Sequence, residues 1–222
     1  MNRLLLIVAV AAFGALGVFI WNSNRPAGLP GVDLGAVSAQ EAGDVDTSMV
    51  AEMTLGNPDA PVTVVEYASF TCPHCGAFHA NEFKRMKAEY IDTGKINFIY
   101  REVYFDRYGL WAGMLARCGG EERYFGIADL LYQNQREWLA SGDPAGIAGE
   151  LRRLGRTAGL EEEAITACLS DADMAQAMVA VYQENATADD VSSTPSFLIN
   201  GEKVSGNNYP EVKRLIDAAL GG

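Results

Sequence analysis

The most constraining feature of this chain is a β-branched apolar run that ends in a pair of closely spaced cysteines. Pro61-Val62-Thr63-Val64-Val65-Glu66-Tyr67 reads as a buried strand. Cys72-Pro73-His74-Cys75 follows almost at once and opens a stretch predicted to be helical from about Pro73 to Tyr90. Thr93-Gly94-Lys95 ends that helix, and Ile96-Asn97-Phe98-Ile99-Tyr100 reads as a second strand. Strand, helix, strand is the repeating unit of a parallel α/β sheet. The fold class is therefore α/β, with the cysteine pair on a strand-to-helix turn.

Beyond residue 103 the pattern changes to helical spacing. Leu110, Trp111, Met114 and Leu115 recur on one face, as do Ile127, Leu130 and Leu131. Asp143-Pro144 has the form of a helix start, with Asp as cap and Pro at the first position. Gly155 and Gly159 read as stops, and Leu160 to Leu169 and Met174 to Tyr182 as further helices. Strands return with Ser196-Phe197-Leu198-Ile199 and Glu202-Lys203-Val204-Ser205, which flank the hairpin dipeptide Asn200-Gly201. Pro210 opens a last helix with Val212, Leu215, Ile216 and Ala219 on its apolar face. The order is βαβ, a helical insertion, then ββα. Neither half makes a complete sheet, so all strands are placed in one. Residues 51–103 and 186–222 form the sheet domain, and 104–185 the insertion.

Cys72 falls where a helix N-terminus presents unpaired N–H groups and the positive end of its dipole. That favours the thiolate and lowers the thiol pKa. Pro73 suits the first helical position, and His74, protonated or donating a hydrogen bond, would add to the effect. Cys75 is close enough to pair with Cys72 and is expected to be more buried. Two other uses of the motif remain open at this level: a zinc site from Cys72, Cys75 and His79 with a further ligand, and an inert disulfide. His79 by itself reads as a packed or surface histidine. Glu66 stands in an apolar strand, where a buried, unpaired carboxylate is costly; the other reading is that it faces solvent at the strand end.

The net charge of −12 comes without a basic stripe, which argues against nucleic-acid binding. The four cysteines, Cys72, Cys75, Cys118 and Cys168, fit an oxidising compartment. Met1-Asn2-Arg3 followed by the uncharged run Leu4 to Trp21 makes residues 1–21 a signal peptide or an N-terminal membrane anchor. Arg3 places the N-terminus on the cytoplasmic side. Residues 22–50, rich in Gly, Ala, Pro, Asp and Ser, read as a flexible linker.

The stretch from Leu55 to Cys75 (LGNPDAPVTVVEYASFTCPHC) closely resembles the DsbA family of bacterial periplasmic thiol oxidases, and Ser193-Thr194-Pro195-Ser196-Phe197 resembles its second signature. The likeness spans residues 52–220. It implies a thioredoxin-like fold with a helical domain inserted between the βαβ and ββα halves. It also implies that Cys72 is the nucleophile, Cys75 the resolving cysteine and Pro195 a cis-proline facing the active site. The backbone of Thr194 would help bind extended substrate, and Glu66 would be the buried acid that relays a proton for Cys75. The implied function is a protein thiol oxidase that donates the Cys72–Cys75 disulfide to reduced exported proteins. A quinone-linked membrane oxidase would recharge it. The protein would be periplasmic, soluble or tethered, and monomeric, with no cofactor and no bound metal. The alternatives are an isomerase or reductase of the same fold, or a membrane-tethered metal-binding module. Cys118 and Cys168 depart from the two-cysteine pattern. In some four-cysteine relatives such a pair is a structural bond in the helical domain; the other reading is a second redox pair.

Overall fold

The computed structural model describes residues 45–205 and 208–222. The expected signal or anchor, 1–21, and most of the expected linker lie outside the described residues. The described end of the linker is ordered. Thr47–Met49 forms a 3-10 turn capped by Asp46, whose carboxylate accepts from Ser48 N at 3.0 Å. Val50 then packs with Leu110, Met114 and Met178. A first strand, β1 (Met53–Gly56), was not anticipated; at four residues it is too short for alternation to register.

β2 (Val62–Ala68) and β3 (Ile96–Glu102) are parallel neighbours, as the strand–helix–strand pattern requires. Between them the expected single helix is broken. α1 (Pro73–Ala80) stops at Asn81, whose side chain donates back to the Ala77 carbonyl at 3.2 Å, while its own backbone leaves helical geometry. α2 (Glu82–Met86) then continues into a π-turn, Lys87–Ile91.

The insertion comprises α3 (Arg107–Cys118), α4 (Gly120–Gln133), α5 (Gln135–Trp138), α6 (Pro144–Thr157), α7 (Glu162–Leu169) and α8 (Ala172–Ala188). Asp143 caps α6 as expected, accepting from Ala145 N and Gly146 N. Gly155 is no stop. It lies inside α6, where a Cβ would come within 3.0 Å of Leu115 and 2.8 Å of Ile165, so it admits α3 and α7 at close range. Gly159, at φ +78°, is the residue that ends the helix. α8 runs past Tyr182 because its polar last turns are held from outside. The Tyr67 hydroxyl donates to Asn185 O at 3.1 Å and lies 2.5 Å from Asp189 Oδ2.

β4 (Ser196–Ile199), β5 (Glu202–Lys203) and α9 (Tyr209–Ala219) close the chain. The sheet order is β1-β3-β2-β4-β5, with only the β2–β3 pair parallel. Alternation sorts its two faces. Val62, Val64, Ala68, Phe98, Tyr100, Phe197 and Ile199 join one core with Leu115, Tyr124, Leu131, Trp138 and Ile165 of the insertion and Ile216 of α9. Val65, Tyr67, Ile99 and Leu198 face the other way, under Tyr182 of α8. The insertion is keyed to the sheet by a buried ion pair: Arg117 on α3 donates to both Glu102 oxygens at 2.9 and 2.6 Å, and the Tyr124 hydroxyl reaches the same carboxylate at 2.9 Å. Among the described residues no single helix is long and apolar enough to cross a membrane.

Candidate active site

After β2 the chain turns sharply, with Cys72 N donating to Ser69 O at 3.1 Å. Cys72 is the N-cap of α1 in extended geometry, and Pro73 takes the first helical position. The Thr194–Pro195 peptide bond is cis, and the Thr194 carbonyl oxygen lies 3.5 Å from Cys72 Sγ. The turn and the loop before β4 thus meet at Cys72 Sγ.

Cys72 and Cys75 are both thiols here, and both are buried. Their electrostatics are opposite. The Cys75 thiol, hydrogen-bonded to Cys72, brings the Cys72 pKa down to about 5; Thr194 and the backbone N–H groups of Cys75 and His74 act in the same direction, against the cost of burial. For Cys75, burial pushes the pKa far above the ordinary thiol range, and the negative charge of Glu66 adds to it. At neutral pH the pair is one thiolate and one thiol. Thr194 Oγ1 is buried with no oxygen or nitrogen partner. What reaches Cys72 from His74 is the backbone N–H. The His74 imidazole, expected to steady the thiolate, is exposed.

Glu66 does not face solvent. It is fully buried on the α1 side of β2, and His79 Nε2 lies 3.0 and 3.2 Å from its two oxygens. His79 is packed, as expected, between Phe83 and Tyr132 with ring centroids 4.5 and 4.2 Å away. It is also the partner that makes a buried carboxylate tolerable, which the sequence reading missed. The signal was present: His79 is four residues after Cys75, so both sit on one face of α1, the face toward β2. Tyr132 comes from α4 and shares a 2.6 Å hydrogen bond with the Tyr100 hydroxyl.

A second missed residue is Gln135, at the start of α5. Its Nε2 donates to Phe70 O at 2.8 Å and to Cys72 O at 2.9 Å. Nothing in its local sequence distinguishes it from a surface glutamine.

Cys118 and Cys168 are joined in a disulfide that links α3 to α7. This removes both from any zinc set built on Cys72, Cys75 and His79. Among the described residues no group of three or more His, Cys, Asp or Glu side chains is arranged to hold a metal ion.

Comparison with known proteins agrees with this arrangement. A family model described as Thioredoxin matches residues 48–218. A Rickettsia bellii protein provisionally named protein-disulfide oxidoreductase is 34% identical over 170 residues, covering 76% of this chain and 64% of its own length. The chain thus spans just under two thirds of that relative. The crystal structure of Wolbachia pipientis alpha-DsbA1 superposes with a TM-score of 0.69 at 29% identity, over 77% of this chain and 91% of that one. A protein-disulfide isomerase from Novosphingobium aromaticivorans gives 0.71 at 26%, over 77% and 98%. With a strand-to-helix Cys-Pro-His-Cys turn, a cis-proline opposite it, a helical insertion in the sheet and four cysteines, the chain belongs to the thioredoxin family and is similar in structure to DsbA proteins.

Proposed function

We propose that the protein is a thiol oxidase that donates the Cys72–Cys75 disulfide to reduced exported proteins. The observation that carries this reading is the environment of Cys72, which favours a thiolate down to a pH of about 5. A stabilised thiolate favours the reduced enzyme and is a good leaving group, so the disulfide is readily given away.

In the proposed cycle a substrate thiolate attacks Cys72 Sγ of the oxidised protein. The Cys72–Cys75 bond breaks, a mixed disulfide forms, and the electron pair goes to Cys75 Sγ. Cys75 cannot remain charged where it is buried. It takes up a proton, for which the buried Glu66–His79 pair is the reservoir in this reading. A second substrate thiolate then attacks the substrate sulfur, and Cys72 departs as a thiolate. The substrate leaves oxidised. The carbonyl of Thr194 beside Cys72 suits an acceptor for the backbone of an extended polypeptide.

The family likeness supports a location outside the cytoplasm, with residues 1–21 as signal or anchor, and a quinone-linked membrane oxidase as the partner that restores the disulfide. It equally supports Cys118–Cys168 as a structural bond. The isomerase named among the structural neighbours keeps a second reading open, in which the same site works from the reduced state.

Equilibration in glutathione buffers, with free thiols trapped and counted, separates the two. A potential well above the roughly −180 mV of protein disulfide isomerase is expected. A value near the roughly −270 mV of thioredoxin would reverse the direction of electron flow and sink the oxidase reading.

A further inference from the structure

Gly76 stands inside α1, directly after the resolving cysteine. A glycine within a helix is destabilising relative to alanine, and its φ is not in the left-handed region. Backbone conformation therefore does not require it. Its neighbour does: a Cβ at position 76 would lie 2.5 Å from Gln135 Oε1 and 3.0 Å from Gln135 Cδ. The missing side chain makes room for a carboxamide from the insertion.

That carboxamide is closely held. Gln135 is buried, and Trp138, three residues on in α5, is fully buried with its indole N–H donating to Leu131 O at 2.9 Å. The two amide protons go to Phe70 O and Cys72 O, which lie on either side of Thr71. Cys72 O also accepts the first helical bond of α1, from Gly76 N at 3.1 Å. The Cys72 peptide is thus gripped from within α1 and from the insertion together. The dihedral angles that aim Sγ at Cys75 and at the Thr194 carbonyl depend on both grips.

We propose that Gln135 is a positioning residue for Cys72, through which the helical insertion sets the nucleophile's geometry and hence its reactivity, with Gly76 as the notch that admits it. The proposal rests on Cys72 being the nucleophile. Loss of the carboxamide leaves two buried carbonyls short of a donor. It also removes two N–H dipoles from the base of the turn, so the thiolate is less favoured.

The test is the pH profile of Cys72 alkylation together with the equilibrium constant against glutathione, on the full protein. Gln135→Met keeps the length and removes the donors. The alkylation midpoint should rise by about one pH unit and the equilibrium shift about tenfold toward the oxidised protein. Gly76→Ala should move both in the same direction by displacing the carboxamide. In a Gln135→Ala background, Gly76→Ala should add nothing, since the group it strikes is gone; this double variant also refills the notch should Gln135→Met fold poorly. An unchanged midpoint and constant in Gln135→Met, with only a lower Tm, would overturn the proposal, as would additive effects in the double variant. An ordinary thiol titration of Cys72 in the unaltered protein would instead overturn the nucleophile reading itself.

Discussion

The two cysteine pairs sit at opposite ends of helices. Cys72 caps the N-terminus of α1, whereas Cys118 is the last residue of α3 and Cys168 the last but one of α7. A helix N-terminus carries about half a positive charge and a C-terminus about half a negative one. The first pair therefore contains a favoured thiolate, and neither member of the second has a helix end that would stabilise one. The span differs as well. Cys72 and Cys75 close a single turn, while Cys118 and Cys168 are 50 residues apart and tie two elements of the insertion together. The difference is one of surroundings: Cys72 has the Cys75 thiol and the N–H groups of a helix start to favour its thiolate, whereas the second pair lies at helix C-termini, joined in a disulfide.

The sharpest way to break this comparison is by activity. Cys72→Ser should reduce dithiol oxidation to background, while Cys118→Ser/Cys168→Ser should keep it; the reverse result would exchange the roles of the pairs. Thiol titration is the next largest contrast. Cys72 should alkylate with a midpoint of about 5, and the two insertion cysteines, once reduced, should show no such lowered midpoint. Because the Cys72 pKa is lowered from 9.0 to about 5 in the folded reduced protein, its stabilising effect is complete above pH 9.0 and is lost as pH falls through 5. The Tm of the reduced protein should therefore drop relative to the oxidised form across that window, and Cys72→Ala should abolish the slope.

Proton supply to Cys75 sharpens the first pair further. Glu66→Gln keeps a hydrogen-bonding group against His79 but cannot exchange a proton, and should slow disulfide donation by about a hundredfold. Rates equal to those of the unaltered protein across the pH range would remove Glu66 from the cycle. The smallest effect belongs to the insertion pair. By the chain-entropy estimate a bridge over this span contributes about 4 kcal/mol, so Cys118→Ser/Cys168→Ser should lower Tm by about 10 °C. An unchanged Tm would leave the bond without a structural role.

The strand before the cysteines, the proline at the first helical position, the Asp143 cap and the Asn200-Gly201 hairpin were legible because each rests on contacts within a few residues. The break at Asn81 was less so, since a helix pattern survives one residue leaving helical geometry. Gly155 was misread because a glycine that ends a helix and one that admits a neighbouring helix look alike until the neighbour is known. His79 carried a readable signal through its spacing from Cys75, and Gln135 carried none.

The sequence by itself determined the order of elements and the placement of Cys72 at a helix N-terminus, because backbone hydrogen bonding and turn chemistry are local. Only the tertiary structure decided what surrounds that cysteine. It brought Thr194 over Cys72 from more than a hundred residues away in the chain, paired His79 with Glu66 across the space between α1 and β2, and set Gln135 against the Cys72 carbonyl. Those contacts depend on how side chains from separate elements fill one core, and that is a property of packing in three dimensions which no local pattern encodes.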